Sequence, residues 1–240
     1  MATLSPQPQP QPQPQSQSQI YVDRDIAVAC ARDHREELQK VLRQSGLDVN
    51  WADPTSGVTA THVAAELGHG ECLSMVIGYG GVDLSKMNST GEAPIHAACR
   101  QGRIACLLIL LDHGVCVNDR TAGESAFTPV MYCCMCGHVK CLALLLDRKA
   151  DPDLAGINGI TAIHYACITG QVKCLQLLIA RQADINAQTA DGSTPLDFAR
   201  TCGHAECVEL LLEIHAVGMR AEGIPTISEA EKVRHPCSFT

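Results

Sequence analysis

The sequence predicts an all-α solenoid of about six helix-turn-helix repeats with β-turn connections and degenerate terminal caps. Three observations predict it. Segments starting at residues 59, 93, 128, 161 and 194 resemble one another, at offsets of 34, 35, 33 and 33 positions. Gly68, Gly102, Gly137, Gly170 and Gly203 keep one column of that register, and Cys72, Cys106, Cys141, Cys174 and Cys207 keep another. Apolar residues make up 46% of the 240, yet only eight are aromatic, so Leu, Ile, Val, Ala and Cys must build the core.

Each repeat follows the same local chemistry. Thr59, Thr128, Thr161 and Thr194 open a first short helix, where a hydroxyl caps an orphan backbone N–H. Pro or Ala follows, and Pro is tolerated because the first-turn N–H has no helical partner. Small residues come next, as in Ala64-Ala65, Ala98-Cys99 and Ala166-Cys167, and permit close helix approach. The column glycine ends this helix in a left-handed conformation. A second helix carries an apolar run such as Cys174-Leu175 and Leu177-Leu178-Ile179, and a turn rich in Asp and Asn closes the unit. One unit alone cannot bury its apolar face, but a stack can.

Residues 24–53 read as a degenerate first unit, with helices over 25–32 and 36–44 and with His34 where other copies have Gly. Its charged outer residues suit a cap, and so do Asp197 and Arg200 in the last unit. The expected repeats are 24–53, 54–88, 89–121, 122–155, 156–188 and 189–217. They form a domain over 21–217 between a disordered Pro/Gln-rich tail, 1–20, and a polar C-terminal tail, 218–240. One extra residue lies around 78–85, and two lie in the turn 119–127, which should project further than its neighbours.

These residues resemble the ankyrin repeat family, whose pattern opens T-P-L-H-x-A-A, continues with G-H and an apolar helix, and ends near A-D-V-N-A. T-P-L stands at 194–196, and the motif His at His62, His96 and His164. G-H stands at Gly68-His69, Gly137-His138 and Gly203-His204, and the final turn at Asp48-Val49-Asn50 and Asp184-Ile185-Asn186. The resemblance covers roughly residues 24–217 and implies that the motif His bonds its own turn's backbone and Thr. It implies a non-enzymatic module that binds a protein partner. Asn50, Asn118 and Asn186 also look like the asparagines of this family that undergo β-hydroxylation; the plainer reading is that each bonds its own turn.

Other chemistries are weighed against that reading. Adjacent repeats stack about 10 Å apart, too far for two motif histidines to share a metal. Fourteen cysteines without a secretion signal suggest a reducing compartment, cytoplasmic or nuclear, with thiols serving as small apolar residues of raised pKa. The C-x-x-C of Cys133 and Cys136, with Cys141 beyond it, leaves open a thiol-based redox or zinc-responsive function. There is no G-x-S-x-G, phosphate loop, H-E-x-x-H or dinucleotide fingerprint, so neither an enzyme nor a cofactor is expected. A net charge of −8 argues against general nucleic-acid or anionic-membrane affinity, and no apolar run of about 18 residues suggests a membrane span. Cys237 has the position of a prenylation site without a polybasic run before it. The prolines of the N-terminal tail lack the spacing of three that an SH3-type ligand needs.

The expected binding surface is the concave groove of the stack. The residue after the motif His reads Val63, Ala97, Tyr132, Tyr165 and Phe198, an aromatic stripe expected to point into that groove. Arg100 and Gln101 add polar contacts, and Trp51, Lys86, Met87, Arg120 and Gln188 occupy turn tips or their edges. A monomer acting as adaptor or scaffold, or as the regulatory subunit of an enzyme or transcription complex, is the expected form.

Overall fold

The computed structural model describes residues 17–123 and 125–222, with side chains from 24 to 123 and from 125 to 215. The proline tail and Cys237 lie outside the described residues. Among the described residues twelve α-helices follow in order: α1 (Gln17–Ala31), α2 (Arg35–Leu42), α3 (Ala60–Leu67), α4 (Gly70–Tyr79), α5 (Pro94–Arg100) and α6 (Ile104–Asp112). Then come α7 (Pro129–Cys136), α8 (Val139–Asp147), α9 (Ala162–Ile168), α10 (Val172–Ala180), α11 (Pro195–Thr201) and α12 (Ala205–Glu222). A single 3-10 turn, Ile157–Gly159, precedes α9, and the described residues hold one isolated β-bridge, Ala52 to Thr59, and no strand. Odd-numbered helices pack on one another in succession as one layer, and even-numbered helices as a second, so each repeat touches only its neighbours.

The local chemistry explains the repeat. Thr59 caps α3 by accepting from the His62 N–H, and His62 Nδ1 accepts from the Thr59 N–H at 3.3 Å. Thr194 and Asp197 close the same box in the last repeat, where the Thr194 N–H donates to the Asp197 carboxylate at 2.9 Å. Gly68 and Gly137 then end their helices in the left-handed region. In the first repeat that position is filled by Asp33 at φ 53°, so His34 matches the His of Gly-His and not its Gly. Asp and Asn tolerate this conformation better than most residues.

Both ends of the helical stack extend beyond the expected boundaries. α1 begins at Gln17, inside the segment expected to be tail, and α12 runs on to Glu222. The core is aliphatic and thiol-rich: Leu73, Ile95, Leu107, Leu110, Leu142, Leu175 and Leu178 are fully buried, and the column cysteines lie among them. All cysteines of the described residues are free thiols.

Candidate functional site

The inner helices and the turns that precede them form one face running across the repeats. Its centre is a polar network spanning three of them. Arg100, at the end of α5, lies 3.2 Å from a Glu66 carboxylate oxygen and 3.5 Å from one of Glu92. Glu92 in turn accepts the Tyr132 hydroxyl at 2.6 Å. Burial and the adjacent Glu92 carboxylate push the Tyr132 hydroxyl well above its ordinary pKa, so it stays a donor.

The aromatic stripe is only partly available. Tyr132 is 7% exposed and does not project into the groove as expected. Phe127 covers it, with ring centres 5.1 Å apart, and also packs on Tyr165 at 5.3 Å. The longer turn supplies that cover: Thr121 Oγ1 accepts the Phe127 N–H at 2.8 Å and folds the end of the turn inward. Tyr165 and Phe198 remain half-buried, Phe198 meeting the His164 ring edge-on at 5.5 Å. Phe127, Glu92 and Glu66 were not singled out by the sequence; Phe127's place in a turn two residues longer than its counterparts was the available signal.

The turn-tip residues divide similarly. Met87, Arg120 and Gln188 are exposed, whereas Trp51 is half-buried and Lys86 Nζ is engaged by the Asn50 carbonyl at 2.7 Å. Two of the turn asparagines, Asn50 and Asn118, tie repeats together, whereas the Asn186 N–H bonds Asp184 in its own turn at 2.8 Å. Asn50 Nδ2 donates to the Gly81 carbonyl and its oxygen accepts the Asp83 N–H, both at 2.7 Å, while Asn118 accepts the Asp151 N–H at 2.9 Å.

The motif histidines are structural, as the resemblance implies. Each Nδ1 accepts its own cap N–H, and Nε2 of His62 and His96 donates to the Glu92 and Asp119 carbonyls at 2.8 and 3.2 Å. Burial lowers the pKa of His62, His96 and His164, keeping them neutral. The Gly-His histidines act differently, reaching back to the preceding repeat. His69 donates to the Cys30 carbonyl at 2.6 Å, His138 to that of Arg100 at 3.1 Å and His204 to that of Ile168 at 3.0 Å.

The cysteine cluster does not converge. The free thiol of Cys133 is hydrogen-bonded with those of Cys99 and Cys141 inside the core, while Cys136 sits half-buried one turn on, near Arg100. Desolvation pushes Cys133 well above the ordinary thiol range and Cys167 up to about 12. Among the described residues no three His, Cys, Asp or Glu side chains are grouped to hold a metal ion, and no helix is long and apolar enough to cross a membrane.

Comparison with known proteins places this architecture. A family model described as ankyrin repeats, three copies, matches residues 26–121, 80–155 and 130–220. Target of rapamycin complex 2 subunit AVO2 of Saccharomyces cerevisiae is 28% identical over 106 residues, 44% of this chain and 24% of that protein. The E3 ubiquitin-protein ligase KEG of Arabidopsis thaliana is 29% identical over 106 residues, 42% of this chain and 6% of that protein. The chain therefore spans a quarter or less of these two relatives. The crystal structure of the human ASB11 ankyrin repeat domain superposes with a TM-score of 0.70 at 24% identity, covering 78% of this chain and 82% of that one.

Proposed function

The chain belongs to the ankyrin repeat family, and from that premise we propose that it is a non-enzymatic adaptor that binds a protein partner through its inner-helix groove and turn tips. The observation that carries this reading is the division of labour along that face. Arg100, Glu66, Glu92 and Tyr132 are committed to one another and stiffen the floor. Tyr165, Phe198 and Gln101 remain accessible beside them, and Met87, Arg120 and Gln188 stand at the tips. Half-exposed aromatics on a rigid floor are suited to anchoring a partner, because little side-chain freedom is lost on binding. Membership of a larger regulatory assembly is supported by the AVO2 relative, which is itself a complex subunit.

The test is capture of partners from cell extract by the full chain and by two variants of equal helicity. One carries Tyr165→Ala and Phe198→Ala; the other carries Met87→Ser, Arg120→Ser and Gln188→Ser. A partner retained by the wild type and lost by either variant supports the assignment. Equal retention by all three overturns it.

A further inference from the structure

A second surface lies on the opposite edge, where each inner helix turns into its outer helix. Ankyrin turns and helix–helix edges differ sharply in charge in this chain. The turn segments 48–58, 83–93, 117–127, 151–160 and 184–193 carry ten Asp and Glu and two Lys and Arg, which equals the whole net charge of −8. The helix–helix edge has the other sign. Between Glu71 and Glu206 it presents Arg103, Lys140 and Lys173, all exposed, and the segments 98–106, 133–142 and 166–175 contain no carboxylate. Arg103 spends only its Nε, on the Glu66 carbonyl at 3.0 Å. Lys140 and Lys173 form no ion pair with the described residues. All three stand at the start of α6, α8 or α10, where the helix dipole adds positive potential.

Apolar surface adjoins this row. Leu67, Ile104 and Leu108 are 42%, 43% and 40% exposed. The outer helices make the anomaly visible. Where α6 has Ala105 and Leu108, α4 has Glu71 and Ser74, α8 has Lys140 and Ala143, α10 has Lys173 and Gln176, and α12 has Glu206 and Glu209, so only α6 sets a large apolar side chain there. Beside α6 opens a cleft of about 630 Å³ whose floor is Gly70, Met75, Ala105 and Ile109. Its rim carries Arg35 paired with both the Asp33 and Glu71 carboxylates, so the acidic end of an occupant lies away from the cleft, toward Lys140 and Lys173.

We propose that this edge, from the cleft at Met75 and Ile109 to Lys173, is a second docking site for an acidic segment of a partner protein bearing an aliphatic anchor. The anchor enters the cleft between Met75 and Ile109 and continues over the exposed Ile104 and Leu108 of α6, and the carboxylates lie along Arg103, Lys140 and Lys173. Charge complementarity selects an anionic occupant, because Arg103, Lys140 and Lys173 line this edge with no carboxylate in the segments that carry them, whereas the turn edge carries the chain's net negative charge. The sequence past α12 has related chemistry in Ile224, Ile227, Glu229 and Glu231, but neither isoleucine can reach the cleft in the same molecule. α12 starts at this edge and its 18 residues carry the chain about 27 Å away from it. Ile227 lies five residues past Glu222, a reach of about 17 Å when fully extended.

The test pans a random peptide library displayed on phage against the full chain, then measures the selected peptides by fluorescence polarisation. The expected peptides are rich in Asp and Glu with a Leu, Ile or Phe. Their affinity should fall by about tenfold or more for the Arg103→Glu, Lys140→Glu, Lys173→Glu variant, and for Leu108→Ser, and should weaken with added salt. The groove variant Tyr165→Ala, Phe198→Ala should bind them normally, which separates this site from the groove. Selection of basic peptides, retention by both edge variants, or no selection at all overturns the proposal. Tight binding of a synthetic peptide of residues 222–233 would replace the partner with a second copy of this chain. Edge-dependent sedimentation with phosphatidylserine vesicles in place of peptide binding would replace it with a membrane surface.

Discussion

Two residues show how tightly single positions are specified. Gly102 has φ +67°, and a Cβ added there would lie 2.6 Å from Nδ1 of His138, the residue that ties α8 back to α5. Gly114 has φ +81° with open space around it. Gly114→Ala should therefore cost only the backbone strain, about 1 kcal/mol, and Gly102→Ala about 1–3 kcal/mol more, compared by urea denaturation. Equal losses would show that the His138 contact imposes nothing. Tyr132→Phe removes the donor to the buried Glu92 and should lower stability by about 1–3 kcal/mol. An unchanged urea midpoint would mean that Arg100 alone satisfies Glu92.

At the scale of the element, the cap box decides where each inner helix begins. Thr194→Ala removes the acceptor for the Asp197 N–H and the donor to its carboxylate, so a loss of about 1 kcal/mol is expected by thermal denaturation. Repeat three has Ala93 at this position and keeps only the His96 half of the box, with the Ala93 N–H donating to Nδ1 at 3.1 Å. The outer helices are specified by side chains from the next repeat. His138, Gln171 and His204 sit over Gly102, Gly137 and Gly170, so the Gly and His columns of the sequence are two halves of one contact between repeats.

The whole molecule inherits a pH response from its repeated histidine. His62, His96 and His164 are held neutral in the fold, their pKa values lowered from 6.5 by burial. Below that value the unfolded chain binds protons that the folded chain does not, so stability is full above about pH 6.5 and declines as pH falls toward the folded values. The melting temperature should drop between about pH 7 and pH 5. His62→Asn should blunt the drop, and an unaltered slope would remove His62 as a contributor. Thiol labelling reads the global packing. Cys116 and Cys202 are exposed and should react rapidly in native protein, whereas Cys99, Cys133, Cys134 and Cys141 should react only on unfolding. Rapid native labelling of Cys133 would reopen the redox reading.

The sequence by itself determined the stack. Period, Gly and Cys columns and Thr caps are local signals, because each repeat solves the same short-range problem of starting, ending and covering a helix pair. It also placed Arg100, Met87, Arg120 and Gln188 on or near the accessible face. The tertiary structure decided what that face offers. Tyr132 occupies the same repeat position as Tyr165, yet a hydrogen bond to a residue 40 positions away and a ring from the longer turn bury it. The start of the first helix at Gln17, the left-handed Asp33 and the exposed Leu108 were equally beyond reach of the period. Each depends on which neighbour happens to cover it, and coverage between repeats is a long-range contact that no local pattern encodes.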